Sequence, residues 1–364
     1  MPAGPTAAGP RSAGPAAPPV PVAGGERETL PASASRPAVI GAVLLVVGVA
    51  FGVIGLFPHY LGGTSLAQEA DELVPHVIYL AVWAASAVLV VSGGTRQRMG
   101  ALLALGTSIV TFGFFFSDLG AVLSGGAHLL GPGLVLGLAG WLACTAGSVL
   151  AFRLRSGDGP RKLDARQPGA VVTLVVAVLA AHGAAIAFAP SWDSYTARTA
   201  AGLADSITAG NSFSNPGPVI VGDVAVMVTL VVVVALAALW RPVRLGAVLV
   251  AGAAIPMAAQ VISAFVQVGE PVSPASLGIS PAQVARLGIT VSAGLTPAFW
   301  IYFAFVVALL MVAGWMALPG RPVSRSTQAP AGNQARWPGQ APWPGTADSV
   351  TTGSVAQPSG QQAP

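Results

Sequence analysis

Three polar side chains interrupt long apolar runs, and they are the residues of this chain most suited to chemistry. They are His182 in VLAAHGAAIAF, Asp223 in VIVGDVAV and Gln260 in IPMAAQVISAF. Helix rise places Asp223 about 8 Å, and His182 and Gln260 about 12 Å, below the same membrane surface. Ionisable residues within a membrane usually face the bundle interior and pair with one another. We therefore predict that His182 and Asp223 lie within hydrogen-bond reach, with Gln260 nearby.

An imidazole beside a carboxylate can exchange a proton, so this intramembrane polar site is typical of proton or ligand handling. Pro256 favours a cavity at this level, because a proline leaves the carbonyl oxygen of Gly252 without its helical partner. A purely structural clasp fits the same residues, since polar contacts between membrane helices contribute about 0.6 kcal/mol on average. Both interpretations stay open on residue types alone.

A second group of candidates follows the first apolar run, in PHYLGGTSLAQEADELVPH. This segment contains His59, Asp71 and His76, whose imidazole and carboxylate groups are ligands that zinc accepts. Asp118 and His128 border the next connection on the same side and could join them. No spacing matches a metal motif such as H-E-x-x-H, and a solvated acidic helix explains the segment more simply. We therefore predict no bound metal and no cofactor.

The elements that must position these residues follow from composition. Of the 364 residues, 54% are hydrophobic and 8% are charged, whereas soluble domains average about 25% charged residues. The apolar runs are continuous and about 20 residues long, which is the length of a helix that crosses the hydrocarbon. The predicted fold class is therefore an all-α integral membrane protein with eight transmembrane helices. Their predicted spans are 38–57, 76–92, 100–116, 128–152, 168–190, 218–240, 246–268 and 298–317.

The cationic residues predict the orientation of these helices. When the chain crosses eight times, fifteen of its seventeen Lys and Arg residues fall on one side, and only Arg198 and Arg286 fall on the other. Such an excess is typical of the cytoplasmic side. We therefore predict a multi-pass protein of the bacterial inner (plasma) membrane, with both termini in the cytoplasm. Since four crossings return the chain to its starting side, the similar endings GLFPHY and IAFAPSW suggest two four-helix halves.

Pro, Gly and Ala dominate both ends of the chain, which predicts disorder there. The domains predicted are a disordered cytoplasmic segment (1–37), an eight-span transmembrane domain (38–317) and a disordered cytoplasmic tail (318–364). The repeat RWPGQAPWPG in the tail is typical of a flexible chain, and it also fits a polyproline ligand for a cytoplasmic protein partner. The bilayer is the other partner. Cationic residues are spread over short loops, so we expect no nucleic-acid binding.

Two longer segments on the outer side, 191–217 and 271–297, predict short helices that lie on that face. The second contains SPAQVARLGI, in which Ser280 can cap a helix and Pro281 can take its first position. Such helices could cover a cavity, or they could pack at the interface without a further role.

Catalytic motifs are missing from the sequence: it has no Walker A loop, no G-x-S-x-G and no H-E-x-x-H. We therefore predict that the chain is not an enzyme and acts as a non-catalytic scaffold or regulatory component of the cell envelope. The alternative is a small-solute or proton-coupled transporter that uses His182, Asp223 and Gln260 as its outer-leaflet polar site.

Overall fold

A computed structural model describes residues 36–152, 159–160, 168–208, 210–274 and 279–318. Eight of its helices are long and apolar enough to cross a membrane, so the protein is an all-α multi-pass membrane protein, as predicted. The two terminal segments predicted to be disordered, 1–37 and 318–364, lie almost wholly outside the described residues. The helices are α1 (Arg36–Gly55), α2 (Ala70–Val91), α3 (Gly94–Gly125), α4 (Pro132–Ala151), α5 (Pro168–Phe188), α6 (Gly217–Ala238), α7 (Val243–Gly269), the short α8 (Pro281–Leu287) and α9 (Pro297–Ala317).

Two helices extend well beyond their predicted bounds, and both extensions carry polar residues. Helix α2 begins at Ala70, and Asp71 and Glu72 occupy its first turn, where the helix dipole favours carboxylates. Helix α3 continues to Gly125 and ends where Gly126 adopts a φ of 107°, a conformation that favours glycine. Residues expected in loops therefore lie on helices.

The loop face is the end of the bundle at which α1 connects to α2, α3 to α4, α5 to α6 and α7 to α9. It carries a hairpin of β1 (His59–Leu61) and β2 (Thr64–Ser65). The opposite end carries a short pairing of β3 (Gly159–Pro160) with β6 (Trp240–Arg241). The loop face also carries an antiparallel sheet in which β4 (Asp193–Arg198) lies between β5 (Ala204–Thr208) and β7 (Thr290–Leu295).

Of the helices predicted for the two outer segments, the one in 191–217 was wrong and the one at SPAQVARLGI is confirmed. Segment 191–217 forms β4 and β5 rather than a helix, because β4 finds a partner in β7, which lies far along the chain. The predicted helix at SPAQVARLGI is α8. The Ser280 hydroxyl accepts a hydrogen bond from the Gln283 amide, and Pro281 takes the first helical position.

The eight long helices divide into two halves with the same arrangement. In the first half, α1 contacts α2 and α4, and α3 contacts α2 and α4, so the four helices form a ring. In the second half, α5, α6, α7 and α9 form a ring by the same contacts. The halves meet through α2 and α3 of one and α6 and α7 of the other. The buried apolar side chains form two clusters, one mainly in each half.

Contacts between α3 and α7 relate the halves by a pseudo-two-fold axis. A methyl group added at Gly106 would meet the Leu249 carbonyl oxygen, and one added at Gly252 would meet the Leu103 carbonyl oxygen. Each residue and its counterpart are 146 positions apart. The same offset relates RMGALLALG (98–106) to RLGAVLVAG (244–252), which share five of nine residues. The contact pattern and the sequence thus agree on one register.

Helices α2 and α6 are related in the same way. A methyl group at Gly100 would meet the Ser86 carbonyl oxygen, and one at Gly246, its counterpart, would meet the Ala237 carbonyl oxygen. Ser86 and Ala237 are 151 positions apart, and so are Leu89 and Trp240, which also lie against these two glycines. This register makes position 71 of α2 the counterpart of position 222 of α6.

Candidate functional site

A cavity of about 210 Å³ lies between α2, α3 and α7, near the loop face. Its walls come from both halves, since α2 and α3 belong to the first half and α7 to the second. A cavity of this size has room for several water molecules or for a solute smaller than a typical drug. The polar residues that line it are Tyr60, Asp71, Glu72, His76, Tyr79, Ser117, Asp118, Gln260 and Ser263.

Helical periodicity explains why these side chains converge. Glu72, His76 and Tyr79 follow one another at spacings of four and three, which places them on one face of α2. Gln260 and Ser263 are likewise three residues apart on α7. Each helix therefore presents a stripe of polar residues to the cavity.

Acidic side chains are concentrated in this cavity. Asp71, Glu72 and Asp118 line it, and none of the described residues that line it is Lys or Arg. Asp118 lies within α3, so its carboxyl group belongs to a membrane-spanning segment. Ionisable residues in such segments usually mark a path or a site for an ion or substrate.

Tyr60 of β1 holds the Asp118 carboxylate. Its hydroxyl donates a hydrogen bond of 2.7 Å to Asp118 Oδ2, and its side chain is only 3% exposed. Burial and the negative charge of Asp118 raise the pKa of Tyr60 well above its ordinary value. The phenol therefore stays protonated at physiological pH and keeps donating to Asp118.

His76 is oriented by its own helix. Its Nδ1 lies 2.8 Å from the Glu72 carbonyl oxygen, and because a carbonyl only accepts, Nδ1 carries the proton. In the neutral tautomer with its proton on Nδ1, Nε2 is an acceptor. Aromatic rings surround the imidazole: the Tyr60, Tyr79 and Phe115 ring centres lie 5.4, 5.9 and 6.2 Å from its centre.

Two hydrogen bonds in the cavity wall join α7 of the second half to α2 of the first. Gln260 Nε2 on α7 donates to the Tyr79 hydroxyl on α2 at 2.9 Å. Ser263 Oγ on α7 donates to the Asp71 carbonyl oxygen on α2 at 2.6 Å. These bonds fix α7 against α2 along the wall, so a change in the position of either helix would alter the cavity.

The sheet on the loop face approaches the same site. Burial, the neighbouring Asp193 and the charge of Asp71 together raise the pKa of Tyr195 of β4 to about 12. Strand β4 thus lies near the acidic residues of the cavity, although none of its residues lines it.

The cavity lies beside the pseudo-two-fold axis. Two pairs of equivalent residues both line it: Ser117 with Ser263, and Phe114 with Gln260. One acidic member has an acidic counterpart, since Glu72 corresponds to Asp223, whereas Asp71 and Asp118 correspond to Gly222 and Ala264. The counterpart of His76 is Met227. A symmetric framework therefore carries a site whose chemistry comes mainly from one half.

Glycines distinguish the contact between α3 and α6 from the equivalent contact between α7 and α2. Helices α3 and α6 pack closely, because a methyl group at Gly113 or Gly120 would collide with the backbone of α6. The equivalent positions on α7 are Ala259 and Val266. Larger side chains thus occupy the interface between α7 and α2, and the cavity lies there.

The structure does not bring together the three residues of the predicted polar site. His182 is exposed, and its Nδ1 lies 2.9 Å from the Val178 carbonyl oxygen of its own helix. The predicted hydrogen bond between His182 and Asp223 was wrong, because the side of α5 that is buried is an alanine face that excludes His182. Asp223 is 8% exposed and accepts a hydrogen bond from Ser117 Oγ at 3.2 Å. Of the three, only Gln260 lines the cavity.

Asp223 has polar partners on the loop face as well as on α3. The side chains of Ser212 and Asn215 approach its carboxyl group from the segment that precedes α6. An acid is tolerated in this apolar helix because it lies near the helix end among hydroxyl and amide groups.

The weak metal candidates are also dispersed. Asp71 and His76 line the cavity, whereas His59 is exposed on β1. No three His, Cys, Asp or Glu residues of the described segments are arranged to hold a metal ion. His59, His76 and Asp71 therefore do not form a metal centre.

Tyr60, Tyr79 and Asp118 carry more of the site than the sequence indicated. Tyr60 and Tyr79 lie near the end of an apolar run, where aromatic residues are common in any membrane protein. Asp118 was placed at the border of a loop, and it would have been assigned to the membrane if the third span had been extended beyond residue 116. The repeated nonapeptide was the signal that could have revealed the central position of α3 and α7.

Comparison with known proteins finds no match: no family model fits the chain, and no curated protein or solved structure is significantly similar to it. The function must therefore be argued from the cavity itself.

Proposed function

We propose that this chain is a membrane transporter for a small solute, in which the acidic cavity binds a proton or another cation. The observation that carries the proposal is the cavity between the halves, lined by Asp71, Glu72 and Asp118, with no Lys or Arg among its described lining residues. Catalysis is not part of the proposal.

The arrangement of the halves supports transport over a passive role. Many transporters are built from two repeats related by an axis along the membrane normal, and their sites lie at the repeat interface. Here the two rings of helices meet at Gly106 and Gly252, and the cavity lies at the same interface. The hydrogen bond from Gln260 to Tyr79 joins the two halves in the cavity wall, so a movement of one half against the other would change the shape of the cavity.

The charge distribution supports an orientation in which the cavity faces the outside of a bacterial inner membrane. Among the described cationic residues, Arg198 and Arg286 are on the loop face, and the others are at the opposite end of the bundle: Arg36, Arg96, Arg98, Arg241 and Arg244. By the positive-inside rule the opposite side is cytoplasmic, and both termini are cytoplasmic too.

The scaffold hypothesis depends on the Pro-rich tail, which lies outside the described residues. It stays a prediction, as does the cytoplasmic partner of that tail. Nothing in the described segments favours it over transport.

Charge movement by the purified protein tests the proposal. The full chain is reconstituted in liposomes on a solid-supported membrane and challenged with concentration jumps of protons, amines, amino acids, sugars and carboxylates. We expect at least one solute class to give a current that is lost in Asp118→Asn and retained in the matched control Asp205→Asn, an exposed acid on β5. If every current is unaffected by Asp118→Asn, or no solute gives one, the transport proposal is wrong.

A further inference from the structure

We infer that the solute recognised by this cavity is a small organic ammonium ion. The inference rests on the proposed function, because it names the solute class of the same site. It is carried by the combination of carboxylates with aromatic walls, which distinguishes an organic cation from a bare metal ion and from a neutral or anionic solute.

The carboxylates supply a binding partner for one positive charge. Asp118 uses Oδ2 to accept the Tyr60 hydroxyl, and its Oδ1 receives no hydrogen bond from the described part of the chain. Asp71 and Glu72 line the same space from α2. An ammonium group can donate to such oxygens and offset a negative charge that would be costly to leave alone at this depth.

The aromatic walls supply the second component. Tyr60, Tyr79, Phe114 and Phe115 line the cavity together with the His76 imidazole. Tyr79 and Phe114 are parallel, at an angle of 9°, with ring centres 6.3 Å apart. Ring faces attract ammonium ions and also accept the alkyl groups that such ions carry.

A bare divalent cation fits these surroundings less well. Calcium and magnesium take six or more oxygen ligands, and zinc takes about four ligands in total. The described residues include no group of three His, Cys, Asp or Glu side chains arranged to hold a metal ion. A sodium-sized or larger inorganic ion would also leave the aromatic walls without a role.

The size and the polar groups of the cavity further restrict which organic cations fit it. A volume of about 210 Å³ is below the range of drug-sized ligand sites, so the cation has few heavy atoms. His76 keeps Nε2 as an acceptor, because Nδ1 donates to the Glu72 carbonyl oxygen. An ammonium ion with at least one N–H can donate to it, whereas an anion would lie beside three acidic side chains with no Lys or Arg among the described lining residues.

Matched probes test this inference on the purified full-length protein. Three probes have similar sizes but different charges: propylammonium is positive, 1-propanol is neutral and propionate is negative. Calcium ions represent a bare metal ion. We expect propylammonium to raise the midpoint of thermal unfolding by about 3–5 °C at ten times its Kd. We expect no comparable shift with the other three probes.

Variants assign that shift to the cavity. Asp118→Asn and Tyr79→Leu should remove it, whereas Asp205→Asn should retain it, because Asp205 is an exposed acid on β5 that does not line the cavity. The unfolding midpoint without probe shows whether each variant is folded. If Tyr79→Leu does not fold, Phe114→Leu replaces it in the same role.

The outcomes separate this inference from the proposed function. An equal shift with 1-propanol, a calcium shift that depends on Asp118, or an unchanged propylammonium shift in Asp118→Asn would each overturn the ammonium assignment. Currents that depend on Asp118 but arise only from neutral or anionic solutes would also overturn it, while the transport proposal would stand.

Discussion

Gly106 and Gly252 each pack against the backbone of the other's helix, at the point where the two halves of the protein meet. A methyl group at Gly106 would lie 2.7 Å from the Leu249 carbonyl oxygen, and Gly252 stands in the same relationship to Leu103. Thr107 adds a hydrogen bond of 3.0 Å to the Gly252 carbonyl oxygen. Small residues allow this close approach between membrane helices.

Replacement of either glycine should therefore weaken the contact between the halves. We expect Gly106→Val and Gly252→Val to destabilise the protein by about 1–3 kcal/mol, because the added atoms must displace a packed backbone. Unfolding in detergent, followed by the midpoint temperature, measures the effect. Gly314→Val on α9 is the matched control, since Gly314 is exposed and has no atom within contact distance. Equal midpoints for the three variants would refute the close contact.

The pKa of Tyr60 predicts how stability depends on alkaline pH. Burial and Asp118 raise this pKa in the folded protein, whereas the unfolded chain has the ordinary value of about 10. Below pH 10 both states are protonated and the stabilisation is complete. Above pH 10 the unfolded state loses its proton first, so stability falls as pH rises.

Tyr60→Phe removes this contribution. We expect the unfolding midpoint of wild type to fall more steeply than that of Tyr60→Phe between about pH 10 and pH 11.5. At neutral pH the variant should be less stable by about 1.5–3 kcal/mol, the contribution of a hydrogen bond to a charged group. Parallel curves for the two proteins above pH 10 would show that Tyr60 is not buried beside Asp118.

His182 and Asp223 should respond differently to substitution. His182 is exposed on α5, so His182→Leu should change stability by no more than about 0.5 kcal/mol. Asp223 is buried and accepts from Ser117, so Asp223→Leu should cost about 1–3 kcal/mol by leaving that hydroxyl unpaired. Thermal unfolding of the two variants measures both effects. A larger loss of stability in His182→Leu than in Asp223→Leu would contradict the exposed position of His182 and favour the polar site predicted from the sequence.

The sequence was sufficient for the number and order of the membrane-spanning helices but not for the direction of their side chains. Continuous apolar runs defined eight helices and their order, because length and hydropathy decide whether a helix can cross a membrane. The depth that helix rise gives for each residue stays a prediction. Rotation about the helix axis depends on which neighbours a helix packs against, and mean hydropathy carries little of that information.

Side-chain size would have oriented α5 better than polarity did. Its buried residues include Ala177, Ala181 and Ala184, whereas Leu179 and Ile186 are exposed. Small residues favour contact between membrane helices, so large aliphatic residues are left to face lipid. His182 lies on the face of the larger residues, which is why it does not reach Asp223.

The cavity was beyond prediction because its parts are far apart in the chain. Tyr60, Asp118 and Gln260 belong to β1, α3 and α7, and only the packing of the two halves brings them together. The acidic segment was recognised as a candidate, but Asp71 and Glu72 gain their role from α3 and α7 rather than from the histidine in β1.

The rate of thiol modification at position 263 tests the central claim, an acidic cavity that favours cations, most directly. The native Cys144 is buried, and Cys144→Ala provides a background in which Ser263→Cys is the only thiol. A trimethylammonium-ethyl thiosulfonate and a sulfonatoethyl thiosulfonate of similar size compare the two charges. Thr208→Cys on the exposed β5 is the reference position.

We predict that the cationic reagent modifies the thiol of Ser263→Cys at least about ten times faster than the anionic reagent does, relative to the same ratio for Thr208→Cys. Asp118→Asn should reduce that preference, because it removes one of the three carboxylates that line the cavity. Modification of the Ser263→Cys variant at equal relative rates by the two reagents, with no change on adding Asp118→Asn, would contradict an acidic cation site between the halves.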